Sequence, residues 1–310
     1  MTAPQHIYWR RRLTALGGMA AVIVAAMLLA GSGDDAEPPA AASSVQAPAP
    51  PELPRGGRSV FPEHRVVAYY GAPQSRELGA LGIGSPRGAA RRLAREARRY
   101  RRKDRAELPA LELIAVIANA HPGADGMYRA RQEDKVIRRY LRAARRAKAL
   151  LLLDIQPGRS DFFTETTRLR KWLKEPDVGL ALDPEWRVGE GQVPGQVIGQ
   201  VGSREVNATS AWLAQLVEEH ELPDKLFVIH QFTDDMVDHT RLKLRKGLDM
   251  VLNVDGFGGQ EIKRAKYRRF AREARDFHHG FKLFYEEDTD LMSPRQVLRM
   301  RPRPSLIVYE

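Results

Sequence analysis

Eight short apolar runs, spaced along some 250 residues and separated by helical patterns, constrain this chain more than any other feature. The runs read RVVAYYG (65–71), LELIAVIANA (111–120), ALLLLDIQP (149–157), VGLALDPEW (178–186), KLFVIHQF (225–232), DMVLNVDGFG (249–258), FKLFYEED (281–288) and SLIVYE (305–310). Each is nearly continuous in apolar character, as expected of strands covered on both faces in a parallel sheet. Between them lie patterns such as PRGAARRLAREARRYRRKDR, EDKVIRRYLRAARRAKA, RSDFFTETTRLRKWLKE and SREVNATSAWLAQLVEEHEL, with DDMVDHTRLKLRKG and GQEIKRAKYRRFAREARDF after the fifth and sixth runs. Strict alternation of strand and helix means repeated βαβ units, and eight units close naturally into an α/β (β/α)8, or TIM, barrel. An open doubly wound sheet is the alternative. It is disfavoured because YYGAPQSRELGALGIG, after the first run, lacks the G-x-G-x-x-G spacing. No eighth helix follows the last run, so other segments are expected to cover that part of the barrel.

The N-terminal region reads differently. Residues 1–12 end in Arg10, Arg11 and Arg12, ahead of an apolar stretch over 13–31. A charged segment followed by about 18 apolar residues has the form of an export signal or a membrane anchor, with the cationic side held in the cytoplasm. LLAGS, Leu28 to Ser32, resembles a bacterial lipoprotein box in which Ser32 stands where the lipidated cysteine belongs. The chain has no cysteine, which excludes lipid attachment here, disulfides and thiolate chemistry. Residues 32–60, rich in Ala and Pro, are expected to form an extended linker, and residues 61–310 the barrel domain. The expected location is therefore outside the cytoplasmic membrane, tethered by one span or secreted if the signal is removed.

In a TIM barrel, chemistry sits at the C-terminal ends of the strands. Those ends offer Tyr69 and Tyr70, Asn119 and His121, Asp154 and Gln156, Asp183 and Glu185 with Trp186, His230 and Gln231, Asn253 and Asp255, Glu286 to Asp288, and Tyr309 with Glu310. Alternation places Gly179, Ala181, Asp183 and Glu185 on one face if the strand stays regular through Pro184. A ring of carboxylates with amide, imidazole and aromatic neighbours is what glycosidic cleavage requires: one acid protonates the leaving oxygen, and a second carboxylate attacks or activates water. Glu185 is the expected acid/base, Asp183 its tuning neighbour and Glu286 the nucleophile or base. Asp154, Gln156, Asp255, Asn253, His230, Gln231, Tyr69 and Trp186 are the expected substrate-binding residues.

GLALDPEW resembles the fourth-strand D-x-E of muramidase-type and chitinase-type glycoside-hydrolase barrels. In the chitinase pattern D-G-x-D-x-D-x-E the last two acids align with Asp183 and Glu185, while Val178 and Ala181 stand at the two earlier aspartates. The resemblance implies a hydrolase of O-glycosidic bonds acting on cell-wall, peptidoglycan-type or other extracellular polysaccharide, with Glu185 as the acid. The alternative is a non-catalytic barrel that binds glycan or wall polymer. No cofactor is expected. Asp154, Asp183, Glu185, His230 and Asp255 are suitable metal ligands, but neither H-x-x-E-H nor D-x-D-x-D-G spacing is present, and no metal is expected.

The formal charge is +11, and eight arginines and one lysine fall between Arg91 and Arg105, with a second basic cluster over Arg138 to Lys148. Apolar residues at helical spacing inside these runs make them outer faces of helices. Anionic wall polymer or a membrane surface is the expected partner of such faces. Nucleic acid is not, because no aromatic-interleaved basic module is present.

Overall fold

A computed structural model describes residues 49–310, which form a closed barrel of eight parallel strands with helices outside it. The chain runs through β1 (His64–Gly71), α1 (Pro86–Arg98), β2 (Ala106–Ala118), β3 (Arg129–Arg131), α2 (Asp134–Arg146) and β4 (Leu150–Ile155). It continues with α3 (Phe162–Arg168), α4 (Arg170–Leu173), β5 (Val178–Leu182), α5 (Ser203–Glu219), β6 (Lys225–Gln231) and β7 (Leu248–Val254). The last elements are α6 (Gln260–Glu273), β8 (His278–Leu283), α7 (Pro294–Leu298) and β9 (Leu306–Tyr309). The barrel order is β1-β2-β4-β5-β6-β7-β8-β9, and β9 returns to pair with β1 through Val66↔Leu306 to Tyr69↔Tyr309. Short β3 is an antiparallel addition to the upper end of β2. The apolar segment 13–31 lies outside the described residues. Among the described residues, no helix is long and apolar enough to cross a membrane.

Two-residue alternation sorts the strand side chains into two cores. One fills the barrel with Val66, Ala68, Leu108, Ala110, Leu150, Leu152, Ala181, Leu226, Val228, Val251, Leu306 and Val308. The other lies between strands and helices and holds Leu151, Leu153, Leu180, Phe227, Ile229, Leu252 and the apolar stripes of the helices. Small inward residues make the tight interior possible. A Cβ at Gly280 on β8 would collide with Asn253 on neighbouring β7, so glycine there gives Asn253 its inward place.

The helices form where the spacing predicts them. In α1, Ser85 caps the start through Gly88 N–H and Pro86 takes the first turn. Ala89, Ala90, Leu93 and Ala97 are buried, while Arg87, Arg91, Arg95 and Arg98 face solvent. In α2, Ile137, Tyr140, Leu141 and Ala144 are buried beneath exposed Arg138, Arg139, Arg142, Arg145 and Arg146. The stretch DDMVDHTRLKLRKG departs from its helical reading and contains only a 3-10 turn at His239–Arg241. Its apolar residues form no continuous stripe: Met236 and Val237 are buried, whereas Leu244 is exposed.

The end of the expected linker belongs to the barrel. Leu53, Val60 and Phe61 are buried within the interior core and close the N-terminal end of the barrel. Polar contacts fix this plug. Arg55 donates to the Glu107 backbone carbonyl at 2.6 Å, Arg58 to the carbonyls of Glu221 and Leu222 at 2.9 and 3.0 Å, and Val60 N–H to Asp249 Oδ2 at 2.8 Å. The N-terminal strand ends therefore carry buried charge of their own, which the sequence reading did not anticipate: Arg65, Glu107, Lys225 and Asp249 are all buried.

Asp249 gives this floor a pH signature. Burial, aided by the nearby charges of Asp224 and Glu63, raises its carboxyl to about 6 despite the backbone donors Val60 and Phe61. Between about pH 4 and 6 the folded protein holds a proton that the unfolded chain releases, so this group's contribution to stability falls as pH rises through that window. Asp249→Asn keeps an oxygen for the Val60 N–H and removes the charge. It should stabilise the protein by about 1–2 kcal/mol at pH 7.5 and by nothing at pH 4, read as Tm by calorimetry at the two pH values. An equal loss at both would contradict this account of the floor.

Candidate functional site

Above the apolar layers, the strands turn inward a set of charged and polar side chains at the C-terminal mouth. Parity selects them. Tyr70 follows Val66 and Ala68 on β1, Glu112 follows Leu108 and Ala110 on β2, and Asp154 follows Leu150 and Leu152 on β4. His230 follows Leu226 and Val228 on β6, Asn253 and Asp255 follow Val251 on β7, and Lys282 follows Gly280 on β8. Asp183 continues the line of Gly179 and Ala181 just beyond β5. Tyr70, Asp154, Glu112 and Asn253 are wholly buried, and Asp183, His230, Asp255 and Lys282 nearly so.

These groups form a connected network. His230 Nδ1 lies 3.0 Å from Asp255 Oδ2 and 3.2 Å from Asn253 Nδ2, and its Nε2 lies 3.0 Å from Glu112 Oε1. Lys282 Nζ donates to Asp255 Oδ2 at 2.9 Å and pairs with Glu310 Oε2 at 2.8 Å. The same ammonium sits 3.9 Å from the centre of the Tyr70 ring. Tyr70 Oη donates to Asp183 Oδ2 at 3.1 Å and accepts from Gln156 Nε2 at 2.7 Å, while Gln156 Oε1 accepts from Ala118 N–H at 3.1 Å.

The electrostatics follow from these partners. Burial, reinforced by the charge of Asp183, pushes the Asp154 carboxyl well above the usual carboxylate range. Burial likewise opposes charge on Asp255, but Lys282 and His230 outweigh it and hold that carboxyl far below its ordinary value. For His230, burial alone would favour the neutral ring; its contacts with Asp255 and Glu112 prevail and raise it. Carboxyls so divergent in proton affinity within one cluster are characteristic of functional sites.

Of the residues expected at the site, Asp154, Gln156, Asp183, His230, Asn253 and Asp255 converge here. Strand β5 does not stay regular through Pro184. It ends at Leu182, and Pro184–Trp186 form a 3-10 turn that buries Glu185 and Trp186. The Glu185 backbone carbonyl accepts from Gly199 N–H at 2.7 Å, and the Glu185 charge acts on Lys266 of α6. Trp186 packs with the interior core.

Three residues fall elsewhere. Tyr69 faces the helices, with its hydroxyl 3.3 Å from that of Tyr285 and its ring edge-on to Tyr309; the inward place on β1 belongs to Tyr70. Gln231, one residue past inward His230, takes the opposite face and is buried there. Glu286 is exposed on the loop after β8, because the inward line of that strand ends with Lys282 and Phe284. Glu112 and Lys282 are members that the sequence reading missed. Each is a charge set inside an apolar run, LELIAVIA and FKLF, and a charge at an inward position of a buried strand is itself the signal.

No family model and no curated protein matches the chain.

Breaking the Lys282 link tests the network. Lys282→Met leaves Asp255 and Glu310 buried without that ammonium, and loss of one partner from a buried ion pair costs about 3–5 kcal/mol. Chemical denaturation should show a loss in that range, recovered in part by adding Glu310→Gln. A loss below about 1 kcal/mol would mean that the charges are not coupled.

Proposed function

We propose that the protein is an extracytoplasmic glycoside-hydrolase-like enzyme that cleaves cell-wall or other extracellular polysaccharide. What supports this reading is a buried carboxylate, Asp183, bonded to Tyr70 beside Gln156 at the C-terminal end of a closed barrel, with a second buried carboxylate, Glu185, two residues on. Glu185 is the acid/base that protonates the leaving oxygen. With Glu286 exposed on its loop, Asp183 is the second carboxylate. The Tyr70 hydroxyl donates to Asp183 Oδ2 and orients that carboxyl. Gln156 and Asn253 line the same mouth and position the substrate.

Export rests on the basic and apolar N-terminal segments, and contact with anionic wall polymer or membrane rests on the solvated arginines of α1 and α2. Neither requirement bears on the chemistry at the mouth.

The test is release of new reducing ends from purified wall glycan. The unmodified protein should produce them, and Glu185→Gln should lower kcat/KM by about 10²–10⁴-fold while Tm stays within a few degrees. Saturable binding without cleavage, the same in both proteins, would identify a glycan-binding barrel instead. Absence of both binding and cleavage would remove the polysaccharide reading altogether.

A further inference from the structure

Beneath the carboxylates assigned to hydrolysis lies a feature that the reaction does not use. Glu112 on β2, Asp154 on β4 and His230 on β6 each present a ligand atom, and the three atoms lie within 4.8 Å of one another. All three side chains are at most 1% exposed. Among the described residues, neither oxygen of Asp154 meets a hydrogen-bond donor, and Glu112 Oε2 also lacks one. Buried carboxylate oxygens without donors are costly, and each calls for a proton, a water or a cation. The nearby ammonium of Lys282 is engaged with Asp255 and Glu310.

The geometry points to a divalent-cation site in which Glu112, Asp154 and His230 Nε2 are the protein ligands. Two of the ligand-to-ligand distances are 3.0 Å, from Nε2 to Glu112 Oε1, and 3.8 Å, from Nε2 to Asp154 Oδ2. They straddle the separation of about 3.4 Å that tetrahedral bonds of about 2.1 Å impose, so small side-chain adjustments close the site. The outer shell is already in place. Asp255 Oδ2 sits 3.0 Å from His230 Nδ1; as the acceptor of the Nδ1–H, it leaves Nε2 to face the ion, the carboxylate–histidine–metal relay of many metal centres. Two carboxylates and a neutral imidazole balance a double positive charge without further counterions. One nitrogen and two carboxylate donors suit zinc, manganese or cobalt better than magnesium or calcium, which favour all-oxygen shells.

The inference is independent of the glycosidase reading, because ion binding is measured without substrate. The full chain, free of any polyhistidine tag, is stripped with chelator and titrated with Zn2+ or Mn2+ alone, with metal content after dialysis and Tm as readouts. About one equivalent should be retained and Tm should rise by several degrees. Asp154→Asn should weaken binding at least 100-fold, and Asp255→Asn, acting through His230, by about 10–100-fold. If these variants do not fold, the absorption spectrum and X-ray absorption of the Co2+-loaded unmodified protein decide; one imidazole with oxygen ligands supports the site. Retention of less than a tenth of an equivalent, unchanged affinity in folded Asp154→Asn, or a cobalt shell without imidazole would overturn it.

Discussion

A charged layer held above the apolar layers of the barrel interior is the constraint on which the rest of this structure depends. Removing charges from water is expensive unless each finds partners in good geometry. Here Lys282 lies between Asp255 and Glu310, and His230 between Asp255 and Glu112. Each contact links different strands, so the partners meet only when the barrel is closed in its observed register. The layers below are apolar and small enough to let eight strands close, and Gly280 leaves the space that Asn253 occupies. Fold and site thus impose the same demand: a slip of one residue on β7 or β8 would turn Asp255 or Lys282 toward the helices.

The barrel was legible because its signal is repeated eight times. Continuous apolar runs of strand length, alternating with arginine-bearing helical stripes, admit few other folds. The inward carboxylates Asp154 and Asp183 were legible for a related reason, since each follows alternate residues that are small or aliphatic, and Asp255 follows Val251 and Asn253 on the same face. Choosing between Tyr69 and Tyr70 depended on parity, which adjacent tyrosines in a fully buried strand do not reveal. Glu286 misled because FKLFYEED continues in sequence past the point where the strand ends; beyond Leu283 the chain turns, and strand periodicity no longer says which way a side chain faces. Glu112 and Lys282 are not strand-end residues: Lys282 lies one residue inside the end of β8, and Glu112 lies deep within the long strand β2. The plug formed by Leu53, Val60 and Phe61 was hidden by its Pro- and Gly-rich surroundings, which resemble a linker until the open end of the barrel is seen to need covering.

The mouth separates into two tiers with different chemistry. Asp183 and Glu185 lie just beyond the end of β5, both nearly buried. Glu112, Asp154 and His230 lie deeper, enclosed by neighbouring strands and by Tyr70, whose ring lies edge-on to His230 at 5.9 Å. Tyr70 joins the tiers, since its hydroxyl contacts Asp183 above while its ring packs against the imidazole and the Lys282 ammonium below. Changes in the deeper tier should therefore be felt at the rim through this one side chain.

The central claim is that the buried charged layer at the C-terminal mouth is the working centre of the protein. Its most direct test is a crystal structure of the protein soaked with a wall-derived oligosaccharide. The account predicts sugar density over the mouth, with a glycosidic oxygen within hydrogen-bonding reach of Glu185 and hydroxyls met by Asp183, Gln156 or Asn253. Sugar bound only on the outer helices, or a mouth whose acids turn away from a common opening, would contradict it.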